Sequence, residues 1–237
     1  MSGRKGVPYR LLASLLVVLL SPVVFIGLPT RLAFNEWFIE WEYSKADFPK
    51  DRYGMEDEYR KYLAKLGLRA VLSDEGMEEF KRATLPDGSV AFNRREIKHM
   101  EDVKRFLDFF FPFLYASLVV CSLAFVYMRD LRLMGKTLIA ASLFSLFLTT
   151  ATAVFSITNY ELAFELFHNY VFDPYSWRFR YSDTLLRIYP MKFWYDGTIF
   201  VVVSAGVLCL LSLLTGILLL RYRRSSSGKT LSAEGLR

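Results

Sequence analysis

The chain has 237 residues, 53% of them hydrophobic and 16% aromatic, with a formal net charge of +6. The apolar excess is gathered into four blocks of about 20 residues, each long enough to cross a bilayer, so composition specifies an integral membrane protein and excludes a soluble globular domain. The basic excess lies beside those blocks, which makes it a topology signal and not the footprint of a nucleic-acid partner.

The blocks cover residues 9–28, 107–128, 137–157 and 197–220. The first follows Arg4 and Lys5, as a signal peptide would. Its core is too long for one, and no Ala-x-Ala-like site follows in Ile26-Gly27-Leu28-Pro29-Thr30, so it is expected to stay as an anchor. Arg10 and Asp108 are the only charges inside the blocks and both sit at ends, so no ion or proton pathway is expected through the centres. Cys121 and Cys209 fall within blocks, where they are expected to pack as small apolar residues; a disulfide-stapled outer domain is excluded. Lys and Arg cluster at Arg4, Lys5 and Arg10, at Arg129, Arg132 and Lys136, and at Arg221, Arg223 and Arg224, opposed only by Asp130 and Glu234. These segments share one side of a four-span chain, which predicts cytoplasmic termini and places both long loops outside, with both histidines.

In chain order, Ser21-Pro22 predicts a kink in the first span. Phe34, Trp37, Phe38, Trp41 and Tyr43 then form an aromatic cluster suited to the headgroup zone. Tyr59, Tyr62, Leu63 and Leu66 keep helical spacing on one inward face, with Gly67 placed as the stop of a helix over 55–66. Residues 74–80 read as a second short helix with acids at its start. Leu85-Pro86-Asp87-Gly88-Ser89 is a turn signal, and its flanks Ala83-Thr84 and Val90-Ala91-Phe92 suit a small hairpin. Asn93 then reads as a helix N-cap with Glu96 completing a capping box. Ile97, Met100, Val103, Phe106 and Leu107 carry that helix into the second span, where Pro112 is a kink site. His99 stands on it about 12 Å above the start of the apolar run. Glu96 and Asp102 lie one turn to either side, where a carboxylate fixes an imidazole's tautomer and raises its basicity.

Ser142, Ser145, Thr149, Thr150 and Thr152 suit the third span to close helix packing. In the second outer loop Glu161, Phe164, Glu165 and His168 keep helical spacing until Asp173-Pro174. Ser182-Asp183 predicts the cap of a short helix through Leu185, Leu186 and Ile188, and Phe193-Trp194-Tyr195 the girdle of the last span. The tail after Arg224 is expected to be disordered. The expected fold is therefore an all-α membrane protein: four transmembrane helices with a small extracellular cap of helices and a β-hairpin. Its expected segments are a cytoplasmic tail and first span (1–28), the cap (29–106), two spans with a short cytoplasmic loop (107–157), an aromatic loop (158–196), the last span (197–220) and a cytoplasmic tail (221–237).

The sequence carries no His-Glu-x-x-His zinc motif, no Gly-x-Ser-x-Gly elbow, no phosphate loop and no dinucleotide fingerprint, so neither metal nor cofactor is expected. What remains is the pair of histidines, His99 and His168, in separate outer loops near span ends. Either one alone reads most simply as a hydrogen-bonded interfacial residue. Their placement on one side points to a shared site.

The run Phe92-Asn93-Arg94-Arg95-Glu96-Ile97-Lys98-His99-Met100-Glu101-Asp102-Val103-Lys104 resembles the first signature of a family of four-span bacterial membrane proteins, the lipoprotein intramolecular transacylases. The second signature is similar to Phe167-His168, the Asp173-Pro174 run, Asp183-Thr184-Leu185-Leu186, and Tyr189-Pro190 with Phe193-Trp194; Met191-Lys192 departs from the acidic residue expected after the proline. The resemblance implies transfer of an acyl chain from the glyceryl sn-2 oxygen of a diacylglyceryl lipoprotein to the α-amine of its N-terminal cysteine, giving a lyso-form lipoprotein. It implies His99 and His168 as the catalytic residues, with membrane lipids around the site and no nucleic acid. Glu96 and Asp102 are the expected supports of His99. Asn169, Asp173 and Arg178 are those of His168, and Tyr170, Trp177 and Trp194 are expected in the aromatic enclosure. A lipid- or protein-binding assembly factor without enzymatic activity explains the aromatic loops equally well, and a related lipid hydrolase differs only in pocket shape.

Overall fold

The computed structural model of the protein describes the backbone of residues 7–234 and the side chains of residues 8–222. Arg4, Lys5 and the side chains of Arg223 and Arg224, which enter the charge-based topology, lie outside the described residues. Apart from one isolated β-bridge, the regular structure among the described residues is helical: α1 (Val7–Ala33), α2 (Glu36–Ser44), α3 (Asp57–Leu72), α4 (Asp74–Lys81), α5 (Arg94–Met128), α6 (Leu131–Thr158), α7 (Tyr160–Val171), α8 (Thr184–Ile188) and α9 (Met191–Glu234). Four of these, α1, α5, α6 and α9, are long and apolar enough to span a bilayer. With 35 residues, α5 is longer than the hydrocarbon core requires, at about 1.5 Å per residue against roughly 30 Å. Its first third, with His99, therefore stands outside the apolar stretch that starts at Leu107.

The boundaries differ from the sequence reading in ways that follow from helix propagation. A nucleated helix extends at little cost where nothing breaks it. The loop between α5 and α6 thus shrinks to Arg129 and Asp130, with Arg129 at φ 46° making the reversal. Arg132 and Lys136 ride on α6, whose first turn is capped by Asp130 Oδ1 accepting from Arg132 N at 2.9 Å. At the other end α9 continues to Glu234, where disorder was expected after Arg224.

The chain divides into two compact units. One comprises Met1–Pro29, Phe113–Thr152 and Val202–Arg237. Small polar residues hold its helices: Ser21 Oγ lies 2.7 Å from Ser145 Oγ and donates to Ala141 O, and Ser14 Oγ lies 2.7 Å from Thr137 Oγ1. The α6 and α9 backbones come close at Gly135 and Gly216, where a Cβ on either glycine would stand within 2.8 Å of the other's carbonyl oxygen. Without a hydrophobic drive between helices in lipid, such close approach and polar pairing supply the association.

The second unit, Thr30–Pro112 with Ala153–Val201, contains the cap and both histidines. Its core gathers Leu63, Ala64 and Leu66 of α3, Met77 and Phe80 of α4, Met100 of α5, Ile188 of α8 and Tyr189. Ser73 caps α4 by accepting from Gly76 N at 3.0 Å. The hairpin flanks meet at a single antiparallel bridge, Thr84 with Val90, and Gly88 takes the left-handed φ of +84° that the turn needs. Trp37, Phe38, Trp41 and Tyr43 of the aromatic cluster lie on α2, a helix beyond the elements expected from sequence; Phe38 and Ile39 are buried there, while Trp37 and Trp41 are exposed.

Gly67 is not a helix stop: α3 runs through it to Leu72, and Tyr62, expected inward, is exposed. The glycine instead admits Tyr189, whose hydroxyl donates to Ala64 O. A Cβ at Gly67 would stand 2.9 Å from Tyr189 Oη and 3.3 Å from its Cε2. Gly67→Ala is therefore expected to destabilise the cap by about 1–3 kcal/mol through overpacking against a ring pinned by its own hydrogen bond. Thermal unfolding in detergent checks this; an unchanged midpoint would mean the ring is free to move.

Candidate active site

Local sequence fixes where the first histidine stands. Asn93 Oδ1 accepts from Arg95 N at 2.9 Å and Glu96 N at 3.1 Å, and Glu96 Oε2 accepts from Asn93 N at 2.7 Å. This is a complete capping box, and it sets the start of α5 one turn before His99. The other Glu96 oxygen accepts from Leu185 N at 2.7 Å, which ties the α5 start to α8. Burial pushes the Glu96 carboxyl above its usual range, against the pull of those two backbone donors.

The second histidine is set by α7. His168 Nδ1 lies 2.8 Å from Phe164 O, one turn back on the same helix, and its ring stacks on that of Phe164 at 3.9 Å. A carbonyl oxygen can only accept, so Nδ1 carries the proton and Nε2 keeps the lone pair. The two imidazoles face each other with ring centroids 5.9 Å apart and planes 27° from parallel. Phe172 packs against both, at 5.1 Å from His99 and 5.3 Å from His168. Phe179 lies 5.4 Å from His99, and Trp177 5.1 Å from His168. Phe106 and Phe167 extend this apolar wall, each in edge contact with Phe172.

Such surroundings disfavour imidazolium. His99 is 8% exposed, and burial together with the charge of His168 outweighs Asp102 to bring its pKa down to about 4. Burial also lowers His168, partly offset by its bond to the Phe164 carbonyl. Burial therefore favours the neutral form of both rings. Among the described residues no three His, Cys, Asp or Glu side chains group to hold a metal ion.

Residues 15–194 match the sequence pattern of the family described as lipoprotein intramolecular transacylase Lit. The chain belongs to the Lit family. It is 56% identical over 209 residues to a protein of Aquifex aeolicus (strain VF5) that carries only the name "Uncharacterized protein", covering 88% of this chain and 95% of that one. Its fold is similar to that of the membrane integral lipoprotein intramolecular transacylase Lit from Bacillus cereus, with TM-score 0.72 at 18% identity over 92% of this chain and 98% of that one. A variant of the Bacillus cereus protein with one histidine replaced by alanine gives TM-score 0.61 at 17% identity, over 92% of this chain and 96% of that one.

Within this Lit-family chain the expected supporting residues divide. Asp102 is 8% exposed beside His99, with Oδ1 held by Lys98 and Arg105. Asn169 Oδ1 accepts from Trp177 Nε1 at 3.2 Å and so steadies the indole against His168. Arg178 pairs with Glu165 at 2.9 Å and lies over the Trp177 ring, one layer out from the imidazole. Glu96 serves α8 and its own helix cap, since both of its oxygens are engaged by backbone N–H groups. Asp173 turns back to cap Tyr175 N at 2.9 Å, and Tyr170 projects outward at 87% exposure. Trp194 packs on Tyr189 and Phe193. Lys192, the departure from the family pattern, bridges Asp47 and Asp196 at 2.9 Å each and acts in the α9 anchor. The sequence reading did not single out Phe164, Phe172 or Phe179 for the site. The spacing of Phe164 four residues before His168 was the one available signal for them.

Proposed function

We propose that this chain moves an acyl chain from the glyceryl sn-2 oxygen of a diacylglyceryl lipoprotein to the α-amine of its N-terminal cysteine, at a site on the outer face of the membrane. The observation that carries the reading is the facing pair of imidazoles in an aromatic enclosure, one of them with a defined tautomer. His168 Nε2 takes a proton from the cysteine ammonium. The freed amine attacks the sn-2 ester carbonyl carbon, and the resulting oxyanion collapses with cleavage of the carbon–oxygen bond to glycerol. The ammonium proton has by then passed from His168 to water; Nε2 takes a second proton from the attacking nitrogen and gives it to the departing alkoxide, so an ammonium and an ester become an amide, a hydroxyl and one released proton.

His99 suits a different part of the reaction. A neutral imidazole held far below its ordinary pKa is a hydrogen-bond donor and not a proton source, so it stabilises the oxyanion and the leaving oxygen. Donor ester and acceptor amine sit on one molecule, so positioning supplies much of the rate. The phenylalanine and tryptophan rings exclude the water that would hydrolyse the ester. Family membership and the fold likeness support this reading, and the four apolar helices suit a membrane-held substrate.

The test is expression in a bacterium that makes diacyl lipoproteins, followed by mass spectrometry of a lipoprotein's N-terminal peptide. The α-amine is expected to become acylated and the glyceryl group to lose one chain. A free α-amine with the protein well expressed would refute the proposal. The pH dependence adds a second check. Because burial lowers both histidines, the acid limb of kcat/KM is expected below the ordinary histidine value of about 6.5. An acid limb at or above that value would show that the base is not a desolvated histidine.

A further inference from the structure

Among the described residues, six buried side-chain polar atoms have no hydrogen-bond partner: Glu42 Oε2, Arg95 Nε, His99 Nδ1, Asp102 Oδ2, Thr149 Oγ1 and Ser212 Oγ. Three of them, on Arg95, His99 and Asp102, follow one another on α5 at helical spacing, on a single face. The buried polar atoms of a folded chain are nearly always paired, so a row of unpaired ones beside a candidate site marks where a ligand completes them. Their polarity is graded. Arg95 Nε–H can only donate, Asp102 Oδ2 can only accept, and the imidazole stands between them.

Both charged groups are already engaged through another atom. Arg95 Nη2 bonds Asp183 at 2.7 Å, and its guanidinium lies over the Phe179 ring that also packs on His99. Asp102 Oδ1 meets Lys98 and Arg105. Each group is therefore held in place while one atom is left unmatched. Seven residues of helix put the two ends about 10 Å apart. One extended residue of peptide covers about 3.5 Å, and a hydrogen bond of about 3 Å at each end brings the reach to about 9–10 Å.

We propose that Arg95, His99 and Asp102 form a polar track that reads the N-terminus of a lipid-linked peptide. Asp102 Oδ2 accepts from the α-ammonium, and Arg95 Nε donates to a main-chain carbonyl of the first two residues. Asp102 is the end nearer the apolar stretch of α5, so the amine lies on the lipid side and the peptide leaves toward the cap, as an N-terminus bearing its own lipid requires. The proposal rests on the transacylase reading for the class of substrate, and it adds direction and register to it.

The test uses two dialkyl-ether analogues of a diacylglyceryl-cysteinyl peptide, which bind without reacting; one has a free amine and the other an N-acetyl group. The full-length wild-type protein in detergent is expected to bind the free amine about ten-fold or more tightly, the scale of a charge-assisted bond. Asp102→Asn is expected to remove that preference, and Arg95→Gln to weaken both ligands alike. Equal affinity of the wild-type protein for both analogues would overturn the track, as would a preference that survives in Asp102→Asn. Acyl transfer on the ester substrate is measured in parallel. Transfer without amine preference refutes the track alone, and preference without transfer refutes the transacylase reading alone.

Discussion

Replacing His168 with glutamine is expected to lower kcat for acyl transfer by about 10²- to 10⁴-fold, the contribution of a positioned general base. The fold should survive. His168 is only partly buried, α7 has no buried residues, and a glutamine amide can still donate to the Phe164 carbonyl in place of Nδ1–H. What the variant lacks is a lone pair able to accept the ammonium proton. Single-turnover acyl transfer, with the thermal midpoint measured on the same preparation, separates the two effects. Full activity in the variant would remove His168 from the mechanism and return the chain to a binding or assembly role.

The second large effect is structural. Glu96→Ala strips the acceptor from two backbone donors at once, Asn93 N and Leu185 N, each now bonded at 2.7 Å to a side chain that is 1% exposed. Leaving the buried Leu185 N–H unmet costs about 1–3 kcal/mol, and losing the half-buried cap bond to Asn93 N costs about 0.5–2 kcal/mol more, roughly 2–5 kcal/mol together. The thermal midpoint is expected to fall by about 5–15 °C. Activity should fall with it, because the same capping box sets His99 on the first turns of α5. Glu96→Gln keeps one acceptor oxygen and is expected to recover about half of the loss. A midpoint unchanged in Glu96→Ala would mean that α8 is held by its other ties, the Arg60 bonds to Arg187 O and the Asp51–Arg187 pair.

These two residues show what the sequence made legible. Hydropathy alone located the four spanning helices, because the bilayer sets their length. The Asn93 and Glu96 spacing located the start of α5, because a capping box is a local bargain between neighbours in the chain. The periodicity ending at His168 located α7. None of these signals reports what lies across space. Glu96 looked like a partner of His99 because both share one helix face, yet its free oxygen was claimed by Leu185, 89 residues away. Gly67 looked like a helix end, and only the approach of Tyr189 explains why it is glycine. The rings that enclose the imidazoles come from α5, α7 and the segment after it, and nothing local marks Phe172 or Phe179 as different from the other aromatic residues of that stretch.

The central claim is that the acyl chain moves within one substrate molecule. Purified protein is given a mixture of unlabelled diacylglyceryl-cysteinyl peptide and a form carrying isotopic labels in both its sn-2 acyl chain and its peptide. Mass spectrometry of the product is expected to show labelled acyl chains only on labelled peptide amines, each with a free sn-2 hydroxyl. Labelled chains on unlabelled peptides, or released fatty acid with the amine still free, would contradict it.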